Sequence, residues 1–231
     1  HGDHVLGLTA LLAARQFPSL HSGGPLTVAY PEGCPAVAAL RTTLTGLWPH
    51  ATFNRIRWVP MTDGDRISLG PLRDLVAFRV EHATDQPCLG YAVVERRKRL
   101  TSAARALPAA ELQSRLRRGE KAGLEEPYTH TLLAHTGDSL AQGHPLFWDA
   151  DVLVHDCTFL DAGDRDEPTH AALPEVLEVA TASRVRALVL HHVSQRYDRA
   201  SLAVRIRASV TEPALERGVW LWDEAHITRL V

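Results

Sequence analysis

The sequence predicts an α/β domain, and three observations carry that prediction. Apolar runs of strand length alternate with helical patterns along all 231 residues, with no break in composition. The later runs, in "HTLLAHTGD", "DVLVHDCTF" and "RVRALVLHHVSQRY", are nearly continuous in apolar residues, the pattern of strands buried on both faces. A chain of this length with 45% hydrophobic residues is long enough for one well-buried core.

The elements follow in order. Residues 5–17 carry Leu6, Leu8, Leu11, Leu12 and Phe17 with alanines between, which reads as a helix with a broad apolar face. "SLHSGGP" is a turn, and "LTVAY" at 26–30 is a short strand closed by Pro31. Pro35 opens a helical pattern over 34–48. "RIRWVP" reads as a strand, and "TDGDRISL" as a turn into another. Residues 72–82 alternate as a strand ending at His82, with 88–95 as its hairpin partner. Residues 96–128, rich in arginine, read as a helical excursion interrupted by Pro108 and Gly119. Three strands ending in polar turns follow, at 130–138, 151–159 and 184–197, with helices at 171–182 and 199–210. "GVWLWD" and "AHITRLV" supply two final strands. The whole reads as a single domain over 1–231 with a basic insertion at about 96–128.

Bulk properties exclude several function classes. A net charge of -2 argues against nucleic-acid binding through a large uniform positive field, though not against a local basic patch. Cys34, Cys88 and Cys157 form no CxxC pair, consistent with a reducing compartment and no disulfide framework. No stretch reaches the length of a membrane span, and no signal peptide is visible, so a cytoplasmic location and no membrane partner are expected. Because the chain starts at His rather than Met, residues are expected upstream.

Histidines and aspartates fall at strand ends: His82, Asp138, His155 with Asp156, and His191 with His192. In α/β folds, functional groups collect at such ends, on loops held by a rigid sheet. Imidazole and carboxylate are the ligand set of zinc in hydrolytic sites. One strand-end His is more commonly a satisfied polar group, and an Asp after Gly a turn residue. Several such ends, together with the opening "HGDH", point toward a His/Asp metal hydrolase.

These stretches resemble a known family. "HGDHVLGL" is similar to the second half of a His-x-His-x-Asp-His signature, and "EHATDQPCLGYAVVE", "HTGDS", "DVLVHDCTF" and "LVLHHVSQRY" resemble its later motifs in the same order. The family is the ribonuclease Z branch, tRNA 3'-processing endoribonucleases, of the metallo-β-lactamase superfamily. The resemblance implies an αββα sandwich whose leading strands, and whose first signature histidine, lie before His1. It implies two zinc ions per protomer in the complete protein. His1, His82 and Asp138 would ligate the first, and Asp3, His4, Asp138 and His192 the second, with Asp138 bridging. His1 would end a missing strand, and Asp3 and His4 would lie in the loop before the first helix.

Within that resemblance, Asp3 also orients the attacking hydroxide and His170, in "EPTHAAL", donates a proton to the leaving oxygen. His155 and Asp156 brace ligand histidines from behind, and His191 points away from the site. Arg96, Arg97, Lys98, Arg99, Arg115, Arg117, Arg118 and Lys121 stand where the family projects an arm that grips tRNA. A solvated helix face accounts for the same charges. Arg196 and Tyr197 either contact phosphate or fix a loop. The implied function is removal of the 3' trailer from precursor tRNA, leaving a 3'-hydroxyl, by a homodimer. The alternatives are a hydrolase of a small phosphodiester, sulfate ester or lactone on the same fold, and a non-catalytic domain that binds RNA or protein.

Overall fold

The computed structural model describes residues 2–14, 26–47, 56–82, 87–165, 167–210, 215–223 and 226–231. Helix α1 (Gly2–Ala14) precedes strand β1 (Leu26–Pro31), helix α2 (Pro35–Leu47) and strand β2 (Ile56–Met61). Pro35 occupies the first turn of α2, where its missing N–H costs nothing. Val37, Leu40 and Leu44 recur on one face of that helix and are buried. Leu40 and Leu44 pack against Val5 and Leu8 of α1 and against Leu26, Ile56 and Trp58 of the strands. β1 and β2 pair in parallel, and among the described residues they pair only with each other.

The second sheet has eight strands: β3 (Arg66–Ser68), β4 (Arg73–Arg79), β5 (Leu89–Leu100), β6 (Glu125–His135), β7 (Val152–Asp156), β8 (Ala187–His191), β9 (Val219–Asp223) and β10 (His226–Arg229). Their spatial order is β10-β9-β8-β7-β6-β5-β4-β3. β3 to β6 form an antiparallel meander, β6 to β9 run parallel, and β10 returns antiparallel. Parallel neighbours need crossovers. Helix α5 (Leu173–Ala182) links β7 to β8, and α6 (Arg199–Ser209) links β8 to β9. One face of these strands, through Leu153, Leu188, Leu190 and Val219, packs into a core with Val176 of α5 and Ile206 of α6. Successive residues alternate faces, so Asp156 looks to the other side, away from the helices. The layers run α1/α2, small sheet, large sheet, α5/α6, the αββα order. A cavity of about 280 Å³ separates the sheets, lined by Val28 and Tyr30 on one side and Val80 and Tyr91 on the other.

Three expectations change. Residues 96–128 are not a helical excursion: β5 runs on to Leu100 and pairs with β6 as far as Leu100↔Glu125. Arg96 to Arg99 therefore lie on a two-stranded ribbon, and only its tip is helical, in α3 (Ser102–Arg105) and α4 (Ala109–Arg117). Backbone pairing decides this: Arg96 N–H bonds Leu72 O at the base of the ribbon, and Arg96 to Leu100 stand opposite Thr129 to Glu125 of β6. Second, α1 begins at Gly2, so Asp3 and His4 belong to its first turn rather than to a loop. Third, β4 stops at Arg79 and β6 at His135, each three residues short of the polar residue assigned to its end.

Candidate metal centre

The loops after β4 and β6 are zipped together. Leu140 N–H donates to Glu81 O at 2.7 Å, and Gln142 spans the gap by accepting from Glu81 N–H and donating to Arg79 O. That stitching sets His82 beside Asp138. Gly137 takes φ +66°, which lets the chain turn sharply before Asp138. On the other side, Ser194 N–H bonds Thr158 O, continuing the β7–β8 contact beyond its ladder and bringing Thr158 against His192. His192 itself has φ +62°, a left-handed conformation that a side chain bearing a Cβ adopts at a cost and that commonly marks functional positions.

His170 sits between these two halves. Its ring centroid lies 4.7 Å from that of His82 and 4.9 Å from that of His192. Arg165 fixes its loop by bonding His170 O and gripping Glu175 of α5 with two N–H groups, at 3.0 and 2.8 Å. Two groups of ligand atoms result, each within 4.8 Å of one another: His82, Asp138 and His170, and Asp156, His170 and His192.

Proton positions follow from what each partner accepts. Thr169 O only accepts, so His82 Nδ1, 2.7 Å away, carries the hydrogen. The Asp156 carboxylate accepts from His170 Nδ1 at 2.6 Å, from Ser139 N–H and from Thr158 N–H and Oγ1–H. The single hydroxyl proton of Thr158 is thereby committed to Asp156, so Thr158 Oγ1 accepts from His192 Nδ1 at 2.9 Å. All three imidazoles are anchored through Nδ1–H, and each keeps an Nε2 lone pair. Histidines that ligate metals are held this way, the second nitrogen tied to protein. With the buried carboxylate of Asp138, 3.7 Å from His192, the donor set fits a divalent cation of zinc type.

His1 lies outside the described residues, as do the side chains of Asp3 and His4. Val5, next in sequence, lines the inter-sheet cavity together with His82 and Asp138, so the first turn of α1 approaches this cluster. His155 is placed differently from the expectation. It faces the helix side of the sheet, fully buried, and its Nδ1 donates to Asp156 O rather than to any candidate ligand. Burial pushes its pKa down. His191 packs its ring 4.8 Å from that of His135, and burial together with that neighbour pushes its pKa down to about 3, which keeps it neutral. Asp156 supports His170 directly and approaches His192 at 3.9 Å.

The basic positions are largely engaged within the chain. Arg96 bonds Asp74, Arg97 bonds Glu95, and Arg99 bonds Glu126, each at 2.8–2.9 Å. Lys98 lies 4.0 Å from Glu125, and Arg115 and Arg118 pair with Glu111 and Glu120 at 2.6 Å. Arg117 and Lys121 are exposed at the tip. Arg196 bonds Asp164 O and covers the Phe159 ring. Tyr197 is buried, donates to Asp164 and accepts from Leu160 N–H, which fixes a loop. Sequence reading missed Thr158, Thr169 and Ser139, the groups that orient the imidazoles and Asp156. The hydroxyl two residues after Asp156 was a usable signal; the backbone atoms left none.

No family model matches the chain. Among curated proteins, ribonuclease BN of Salmonella heidelberg is 30% identical over 226 residues, covering 86% of this chain and 69% of that protein. The Salmonella typhi ribonuclease BN matches with the same values. Among solved structures, the metallo-β-lactamase fold protein YhfI from Bacillus subtilis superposes with a TM-score of 0.59 at 18% identity, over 98% of this chain and 73% of that one. A long form RNase Z from yeast superposes with a TM-score of 0.60 at 12% identity, over 97% of this chain and 31% of that one. These solved structures share the fold.

Proposed function

The chain belongs to the metallo-β-lactamase fold family as a homologue of ribonuclease BN, and from that premise we propose that it is a dinuclear zinc phosphodiesterase that removes the 3' trailer of precursor tRNA. The observation that carries the reading is the row His82, His170, His192, with Asp138 and Asp156 beside it and every Nδ1 anchored. His82, Asp138 and His192, with His1, Asp3 and His4, are the residues that would hold the metals. When bound there, such a pair of ions would supply Lewis acidity at the phosphoryl oxygen and acidify a water enough for it to attack near neutral pH.

The chain's own groups supply the rest. Asp156 holds His170 Nδ1–H, so a proton that His170 takes up sits on its Nε2 lone pair, and the ring gives it up from there. As the water oxygen bonds phosphorus and releases one proton to solvent, the bond from phosphorus to the ribose 3'-oxygen breaks, and that oxygen takes the His170 proton, which solvent later replaces. The product tRNA ends in a 3'-hydroxyl, and the phosphate stays on the trailer. Asp3 is assigned to orient the attacking water.

A second reading, hydrolysis of a small phosphodiester, draws support from charge. The ribbon arginines are neutralised by Asp74, Glu95 and Glu126, and the groove beside His82 is lined by Glu32, Asp63 and Glu81 against Arg79. Carboxylates there repel a polyanion.

The test uses the whole protein. Metal per protomer is measured, and precursor tRNA and bis(p-nitrophenyl) phosphate are assayed side by side. Two zincs with trailer removal are expected. Two zincs with hydrolysis of the small ester alone would favour the second reading. Less than one zinc with no hydrolysis would leave the non-catalytic alternative.

A further inference from the structure

A second pocket, of about 180 Å³, has His192 in its wall. Its walls include His192, Ser194, Gln195, Arg199, Trp222 and Asp223. Trp222 stands one residue before the end of β9 with 41% of its surface exposed, although most large apolar side chains of the parallel strands are buried. Its ring is braced against the His135 and His191 rings at 6.3 and 6.4 Å, so its orientation is set by the sheet. Arg199 reaches across from the start of α6, half exposed, with its guanidinium 3.4 Å from Asp223. Exposed pairs of that kind contribute little and yield to a better anion. A rigid aromatic face, an arginine and two short polar side chains thus converge beside one member of the candidate metal centre.

We propose that this pocket is a nucleotide subsite. A nucleobase flanking the scissile phosphate stacks on Trp222, and that nucleotide's own phosphate lies on Arg199. Ser194 and Gln195 offer hydrogen bonds to the sugar. Base stacking on an aromatic side chain tolerates any base and adds arginine's bidentate grip on phosphate without reading sequence. The inference rests on the phosphodiesterase reading, and it names the substrate side on which that enzyme holds RNA.

The test compares two oligoribonucleotides, one intact and one abasic at the nucleotides flanking the cleavage point. In the zinc-loaded protein, the intact substrate should show a KM about tenfold lower. Trp222→Ala should erase that difference, and Trp222→Phe should restore part of it. A difference that survives in Trp222→Ala would overturn the proposal. Independently of cleavage, adenosine 5'-monophosphate should quench tryptophan fluorescence of the metal-free chain, and Trp222→Phe and Arg199→Gln should each weaken that quenching. Equal quenching in all three proteins would also overturn it. Failure of the metal-loaded chain to cleave any phosphodiester would sink the enzymatic reading alone, since the fluorescence titration judges the pocket by itself.

Discussion

Asp156 accepts from four donors while wholly buried, and one of those donors is His170. Replacing it by Asn keeps the shape but lets an N–H₂ group face a ring N–H, so the ring loses its fixed tautomer. Asp156→Asn is expected to lower kcat on a phosphodiester by about 10²–10⁴-fold with little change in KM, measured on protein whose circular dichroism matches the parent. His155 gives a stability prediction with a definite sign. Burial holds its folded-state pKa below the value near 6.5 of the unfolded chain. Between those two values the unfolded chain binds the extra proton, so stability is full above about pH 6.5 and is lost as the pH falls below it. His155→Met removes that proton uptake, and thermal melts should show a shallower fall in Tm between pH 7 and pH 5. The identity of these residues was readable in the sequence. Their partners were not, because Thr169 O and Ser139 N–H are backbone atoms brought from other loops.

At the scale of elements, Gly90 stands directly opposite Phe78 in the β4–β5 pair. A Cβ at Gly90 would overlap the Phe78 ring and come 2.8 Å from His135 O. Gly90→Ala should therefore destabilise the protein by about 1–3 kcal/mol, read as a shift of the urea midpoint at constant slope. Most elements were legible because their apolar period is local: α2, β7, β8, α5 and α6 all fall within the predicted stretches. The ribbon at 96–100 and 125–128 was not. A run such as Arg96–Arg99 has no apolar period, and only the partner strand, with Glu126 opposite Arg99, makes it a strand. Acids on the same sheet, Glu95 two residues before Arg97 and Glu126 across from Arg99, account for why a basic sequence run is a largely neutralised surface.

For the whole molecule, the described candidate ligands come from loops after β4, β6 and β8 of the large sheet, and those proposed at the start of α1 belong to the layer packed on the small sheet, so a metal held by both would tie the two layers together. A ligand bound only to the folded state at a hundred times its Kd contributes about 2.7 kcal/mol. Chelation by EDTA is then expected to lower Tm by roughly 5–10 °C, and zinc should restore it. An unchanged Tm on removing zinc from the metal-loaded protein would count against a metal held between α1 and the loops of the large sheet. The α/β class, the order of strands and helices, and the residue types of the candidate His/Asp centre were legible in the sequence, because periodicity and strand-end chemistry are local properties. Tertiary structure alone decided which nitrogen of each imidazole is free, that His155 faces the helices, and that the basic run is a paired ribbon. Each of those depends on atoms distant in sequence that the sheet brings within hydrogen-bond range.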